Sequence, residues 1–516
     1  MTAMFYDLQA RARRAVFEAG FHPDFPPEVI QEVQALRQRT PPAPGPGVRD
    51  MRPVLWSSID NDTSRDLDQI EYVERLADGS TRLLVGVAEV DCCAPKGSAT
   101  DRQAGGQATS VYTGAATFPM LPEELSTDLT SLIEEQDRLS IVIEMRLRDS
   151  GESLATEVYR AWIRNHAKLA YNSTGAWLEG RGPIPPAIAR VPGMEAQLRL
   201  QQETSHKLSA FRKQQGALAF DSLEPAALLE NGQVKGLVVR ERNVAEDLIE
   251  NFMVTANVAI AQYLKTRNSL SLRRVVRTPR RWDRIQAIAS RFAVKLPSVP
   301  NPRALSDFLD KRKAADPAHF PDLSLSVIKL LGPGEYVVES PGREKEGHFG
   351  LAETDYTHST APNRRYADLA TQRLLKAALA GDGGPHSQAE LTGGGPRERG
   401  VPTSGAGGPY SEAELSSVAA HCTEREDAAK KVERLMRKVM AASLLRGRIG
   451  EVFDALVTGA APKGTWARLL NFPAEGRVVR GANGIDVGDK VRVRLVGVDV
   501  DKGYIDFERA DVAANR

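Results

Sequence analysis

Cysteine is scarce in this chain of 516 residues: an adjacent pair, Cys92 and Cys93, and a lone thiol at Cys422. Three such residues give neither a disulfide framework nor a zinc-ligand spacing, and they fit a reducing compartment. Long apolar runs are missing too. Nothing approaches the roughly 18 consecutive apolar residues of a membrane span, and the N-terminus lacks the basic-then-apolar pattern of a signal peptide. A cytoplasmic protein with no membrane partner is therefore expected. Net charge is nearly absent, at +1, so overall charge offers no argument for a nucleic-acid partner, and any such binding has to come from local patches. What remains is an ordinary soluble composition, 41% hydrophobic and 26% charged, in a chain long enough for two to four domains.

Two breaks organise the chain. Residues 4–19 and 27–38 read as short helices, the second opened by Pro26-Pro27 and carrying Val29, Ile30, Val33 and Leu36 at helical spacing. They make a small helical module, and the Pro/Gly-rich stretch 41–47 after them reads as a stiff linker; together these form a first unit, 1–47. A large mixed unit follows over 48–446, with strand-like runs first and helical periodicity at 245–265 and 365–379. It is interrupted at 381–408 by a mobile insertion rich in Gly, Pro and Ser. Residues 411–446 read as a charged helix pair. The tail, 447–516, is compact and β-rich, with turns at Gly459, Gly464, Gly488-Asp489 and Lys502-Gly503.

The most informative stretch is Ser57 to Gln69, where Asp60, Asp62, Asp66 and Asp68 fall within nine residues beside a predicted strand, Val54–Ile59. Such a density of charge repels itself unless a cation is present, and hard oxygen ligands at this spacing suit Mg²⁺ or Ca²⁺. An EF-hand loop is one alternative, since Asp60, Asp62, Ser64, Asp66, Asp68 and Glu71 occupy its ligand positions; against it, Arg65 stands where the glycine belongs and the flanks do not read as helices. A solvated acidic loop without metal is another. The exit flank reads as a hairpin, Gln69–Leu76 and Thr81–Val90 around Asp78-Gly79. A second constellation runs from His348-Phe349-Gly350-Leu351 through Tyr356-Thr357-His358-Ser359-Thr360-Ala361-Pro362-Asn363-Arg364-Arg365-Tyr366-Ala367-Asp368. Here a turn delivers paired arginines, whose planar forks suit phosphate oxygens and developing charge.

Together these segments resemble the signatures of the ribonuclease II and ribonuclease R family, whose catalytic domain is called RNB. The resemblance runs in order from about Val54 to Lys376 and includes Phe118-Pro119-Met120-Leu121-Pro122 with Leu125 and Asp128-Leu129. It continues through Ala167-Lys168-Leu169-Ala170-Tyr171, Ala217-Leu218-Ala219-Phe220, and Ile249-Glu250-Asn251-Phe252-Met253 with Asn257. It implies a multidomain α+β protein that hydrolyses single-stranded RNA from the 3′ end to nucleoside 5′-monophosphates. The implied cofactor is Mg²⁺, with Mn²⁺ as a substitute and no small-molecule cofactor, and a monomer is expected. In that likeness Asp60, Asp66 and Asp68 are the metal-site aspartates, Arg364 stabilises the transition state and Tyr171 holds the phosphate. Tyr112 and Phe220 form an aromatic clamp on the last bases, and Glu250 contacts the terminal nucleotide.

Three departures stand out. The family usually has a fourth acidic residue after the position of Asp68, where this chain has Gln69, an uncharged and so weaker metal ligand. Ser359 and Asn363 replace apolar residues and read as tolerated packing changes. About 50 residues precede the RNB-like region, too few for two cold-shock domains. The tail resembles the S1 domain, a five-stranded OB barrel. Trp466 and Arg468 sit two apart on one strand, with Phe453 on another, as a stacking surface with a cationic edge would be arranged. Basic runs at Lys430-Lys431, Arg434 and Arg437-Lys438, and at Arg273-Arg274, Arg277 and Arg280-Arg281, could track phosphates. The alternative function is a catalytically weakened RNB-fold protein that binds RNA without cutting it.

Overall fold

The computed structural model describes residues 6–39, 47–221, 224–230, 233–240, 242–317, 319–342, 346–381, 408–461, 463–470, 472 and 474–510. The linker and the insertion expected at 41–47 and 381–408 lie outside these, apart from Gly47, Gly381 and Gly408.

Eight strands open the large unit: β1 (Val48–Asp50), β2 (Trp56–Asp60), β3 (Gln69–Arg75), β4 (Thr81–Ala88), β5 (Val111–Tyr112), β6 (Thr117–Phe118), β7 (Asp137–Leu147) and β8 (Ser153–Ala170). The expected hairpin is β3–β4, turned at Asp78 and at Gly79, whose φ of 83° suits glycine. Six strands form one sheet in the order β1-β8-β2-β3-β4-β7, and β7 pairs with β8 as well, so β8, β2, β3, β4 and β7 close into a ring. Its interior is filled. A Cβ on Gly86 of β4 would meet Ile163 Cδ1 at 3.2 Å and Ile70 Cγ1 and Ser140 Oγ at 3.3 Å. Because side chains alternate along a strand, Ile70 faces into the ring while Gln69 and Glu71 face out, toward the helices.

Those helices are α1 (Leu8–Glu18), α2 (Pro27–Arg37), α3 (Ala99–Gln107), α4 (Tyr171–Leu178), α5 (Pro186–Ala189), α6 (Met194–Gln215), α7 (Val244–Thr266), α8 (Trp282–Ser290), α9 (Pro302–Ala315), α10 (Phe320–Leu331), α11 (Tyr366–Gly381) and α12 (Glu412–Leu445). α7 starts at a capping box, Asn243 with Glu246. On α6, Gln197 satisfies the outer backbone groups of Val73, accepting from its N–H at 2.8 Å and donating to its carbonyl at 2.9 Å. β2 meets β3 only at Ser57 and Glu71, so these groups have no strand partner there.

The helix pair expected over 411–446 is instead one helix of 34 residues, α12. No glycine or proline interrupts Glu412–Leu445, and Ser411 with Glu414 caps its start. The N-terminal helices form where expected but join different neighbours: α1 packs with α12 and the C-terminal barrel, while Val33 of α2 enters the core around the ring. Two helices of 11 residues cannot bury their apolar faces on each other alone. The tail is a closed five-stranded barrel of Val452–Ala461, Gly464–Leu469, Glu475–Arg480, Lys490–Asp499 and Tyr504–Arg509. A third core gathers α8 to α10 around Trp282, Phe308 and Phe320.

Candidate active site

β2 and β8 run parallel, with Asp60 opposite Ala170, so both strands end at the same level. Asp60 and Tyr171, the first residue of α4, therefore leave the ring side by side. The acidic loop starts there. Asp60 Oδ1 accepts from the Asn61 N–H at 2.6 Å and from Ser64 Oγ at 3.0 Å, and Lys168 Nζ donates to the Ser64 carbonyl at 2.5 Å. Burial raises the Asp60 carboxyl, against the pull of the Asn61 N–H, Ser64 and Arg364. An EF-hand is ruled out, since strands flank this loop on both sides.

Asp68 links the loop to the arginine turn. Its side chain is 2% exposed; Oδ1 accepts from the Asn363 N–H at 2.9 Å and Oδ2 from Arg364 Nε at 3.3 Å. Burial pushes its carboxyl up to about 7, although Arg364 and the Asn363 N–H pull it down. Asp66 accepts from the Tyr112 hydroxyl at 3.3 Å, and Tyr112 is 41% exposed on the β5–β6 hairpin. Burial raises the phenols of both Tyr112 and Tyr171; Tyr171 has Asp60, Glu71, Arg364 and Glu246 as its charged neighbours. Asp60, Asp66, Asp68, Tyr112, Tyr171 and Arg364 thus form one constellation.

The other expected residues are held by different contacts. Phe220 is packed against the α8–α10 core, and Glu250, on α7, pairs with Arg242. Gln69 is buried at the start of β3. In the barrel, Trp466 and Arg468 share the outer face as expected, but Arg468 is paired with Asp322 of α10 at 2.9 Å. Arg448 lies over the Phe453 ring at 4.7 Å.

The turn itself is braced by groups the sequence reading treated as packing or substrate contacts. Asn257 Oδ1 accepts from both the N–H and the hydroxyl of Ser359, at 2.9 and 2.8 Å, and Asn363 Oδ1 accepts from Thr130 Oγ1 at 2.6 Å. Ser359 and Asn363 are thus polar braces, not tolerated packing changes. Arg365 is half-buried in a pair with Asp368, which also accepts from the Ala361 N–H, so only Arg364 of the two arginines bonds the acidic loop. Arg273 is held by Glu339 and Asp355, Arg274 by Glu426, and Arg277 by Glu335 and Glu346. Much of that basic run is structural. Glu71, which entered above only as an EF-hand position, has a buried side chain with neither carboxylate oxygen hydrogen-bonded; its signal was a charge among the apolar Ile70 and Val73.

A family model of the RNB domain matches residues 48–381, and one of the RNase II-type exonuclease C-terminal S1 domain matches residues 451–510. The chain belongs to the RNB family of exoribonucleases. Ribonuclease R of Aquifex aeolicus is 28% identical over 510 residues, covering 94% of this chain and 68% of that protein. The structure of Mycoplasma genitalium RNase R in complex with ribose-methylated single-stranded RNA superposes with a TM-score of 0.84 at 21% identity, over 98% of this chain and 78% of that one. Yeast Ssd1, described as a pseudonuclease, shares the fold with a TM-score of 0.67 at 17% identity, over 95% of this chain and 57% of its own. An RNB fold by itself therefore does not establish cutting, and the side chains of the site carry that argument.

For a divalent ion the donors are all hard oxygens, from Asp60, Asp66 and Asp68, with Gln69 uncharged beside them. Among the described residues, no three His, Cys, Asp or Glu side chains converge as a ready-made cage. Mg²⁺ does not require one: it keeps several waters and takes one or two carboxylates together with substrate phosphate. The donor set fits an ion completed by the substrate. Among the described residues, no helix is long and apolar enough to cross a membrane.

Proposed function

We propose that this RNB protein hydrolyses single-stranded RNA from its 3′ end, with Mg²⁺ or Mn²⁺, releasing nucleoside 5′-monophosphates as a cytoplasmic monomer. The catalytic unit would span 48–446 and the S1 unit 447–516. The observation that carries this reading is the Asp68–Arg364 contact beside Asp60 and Asp66: a cation donor and carboxylates held together where a phosphodiester could sit between them. A bound divalent ion would supply activated water and charge for in-line displacement. Arg364 would donate to the phosphate oxygens as charge grows there, and the Asp68 bond fixes its direction beforehand. Tyr171 would orient the phosphate, Tyr112 and Phe220 would stack the last bases, and Glu250 would meet the terminal ribose. Phe453, Trp466 and Arg468 would guide the strand across the barrel, Arg468 after exchanging Asp322 for phosphate.

A second reading, an RNA-binding protein with a weakened metal site, draws on Gln69. Incubating the chain with 5′-labelled single-stranded RNA separates the two. The nuclease gives steadily shortening labelled products in Mg²⁺ and none in EDTA, and Asp68→Asn binds RNA without shortening it. Intact RNA with the wild-type chain at saturating Mg²⁺ and Mn²⁺ would favour the binder.

A further inference from the structure

The residue at 69 lacks a charge, yet the same strand carries one two positions on. Gln69 and Glu71 share the outer face of β3, the face that looks toward α6 and α7, because strand side chains alternate and Ile70 between them points into the ring. Glu71 is fully buried, and both of its carboxylate oxygens are without a hydrogen-bond partner. An uncompensated carboxylate in such a place is costly, and fully buried charges are as a rule paired or bound to metal. The nearby amide donates elsewhere: Gln201 Nε2 reaches the Glu71 carbonyl and Ser57 Oγ, each at 3.4 Å, and Gln197 Oε1 at 3.3 Å, not the carboxylate, and Gln201 Oε1 is itself buried without a partner. The two orphaned carboxylate oxygens of Glu71 form an acceptor pair, which a hard cation or its water shell would satisfy.

Burial raises the Glu71 carboxyl and Asp60 raises it further, and Glu71, after burial and Asp60, helps raise the Tyr171 phenol. Both neighbours belong to the constellation where β2 and β8 end.

We propose that Glu71 supplies, from two residues farther along the same strand face, the carboxylate charge that Gln69 lacks, and holds the divalent ion together with Asp60. The inference rests on the metal-dependent reading above. It differs from a mere filling of space by Glu71, because a carboxyl that only fills space can be replaced by its amide without any effect on an ion.

Mn²⁺ binding followed by electron paramagnetic resonance, on the full chain without RNA and then with a non-hydrolysable phosphorothioate RNA, tests this without reference to turnover. Glu71→Gln should weaken Mn²⁺ binding at least tenfold, and Gln69→Asp combined with Glu71→Gln should restore it to within a few-fold of wild type. Equal Mn²⁺ affinity in wild type and Glu71→Gln overturns the proposal. If Glu71→Gln does not fold, Gln69→Asp with Glu71→Leu takes its place: wild-type affinity there supports an exchange of charge between the two positions, and affinity more than tenfold below wild type overturns it. A wild-type chain that binds no Mn²⁺ even with RNA would instead sink the metal-dependent reading itself, an outcome distinct from a silent Glu71.

Discussion

Arg364 can act on a phosphodiester in two ways, by holding it or by answering the charge that grows on it, and its bond to Asp68 favours the second. The guanidinium is aimed before substrate arrives, with its Nε bound at 3.3 Å and its side chain still 42% exposed. A donor fixed in advance pays no reorganisation during the reaction. Arg364→Ala should therefore lower kcat by a factor on the order of 10² or more with little change in RNA affinity. Arg364→Lys should recover only a small part, since an ammonium cannot both bond Asp68 and present a planar fork. Single-turnover rates beside equilibrium binding decide it, and a loss confined to affinity would make Arg364 a binding residue.

A second residue-scale case concerns Glu353, in a cleft of about 460 Å³ with His348, Phe349 and Arg280. Burial pushes its carboxyl up to about 7, against Arg212 and aided by Asp355. A raised carboxyl binds its proton more tightly in the folded chain. Its stabilising contribution is complete below about 4.5 and is lost as pH rises through about 7. His348, pushed down to about 4 chiefly by burial, works in the opposite direction but titrates equally in wild type and Glu353→Gln. The stability of wild type relative to Glu353→Gln should thus fall between pH 5 and pH 8, by on the order of 1 to 2 kcal/mol once partial exposure is allowed for. Melting curves of both proteins at the two pH values measure it; a constant difference would show that Glu353 does not titrate there.

At the scale of elements, the arginine turn depends on a helix that never touches the acidic loop by sequence. Asn257 of α7 holds Ser359 through one oxygen and two donors. Asn257→Ala leaves a buried N–H and hydroxyl without an acceptor, at a cost of about 1–3 kcal/mol. Because the turn carries Arg364, kcat should fall further than stability alone explains, while Asn257→Asp, which keeps the acceptor, should retain more activity. Denaturant unfolding set beside kcat would reveal a wrong assignment if the two variants behaved alike.

The same elements indicate what a sequence can reveal. The Asp78-Gly79 hairpin and the helical periodicity of α7 were readable because their signals are local. The acidic loop and Arg364 were readable through motif. The closing of the ring was not, since it depends on 18-residue β8 pairing with β1, β2 and β7 at once, and register between distant strands leaves no local mark. Arg273 and Arg274 looked like a phosphate track because their acidic partners, Glu339, Asp355 and Glu426, are 66 to 152 residues away. Glu71 passed for an EF-hand ligand, and only its burial gave it another meaning.

At the scale of the whole molecule, the barrel is not a detachable tail. Its apolar interior is continuous with Met436, Val439, Met440 and Leu445 of α12 and with Ala12 and Val16 of α1. Arg11 Nε donates to the Asp501 carbonyl at 2.9 Å, and a Cβ on Gly503 would stand 2.9 Å from the Val439 nitrogen, so the barrel turn sits directly on α12. Removing residues 447–516 would expose that helix face, and a truncated chain should melt lower and aggregate, which confounds any reading of its RNA binding. The sharper test leaves the barrel in place. Trp466 lies half-buried on its outer face, with its ring against Gly459 and Gly464. Base–aromatic stacking contributes about 1–3 kcal/mol, so Trp466→Ala should weaken binding of long single-stranded RNA by roughly tenfold or more. Short RNAs that reach only the acidic loop should be cut at the wild-type rate, and the melting temperature should change little because the ring fills no part of the barrel. Equal losses on short and long RNA would mean that the barrel reaches the cleavage site, and no loss on either would place the path of the strand away from this face.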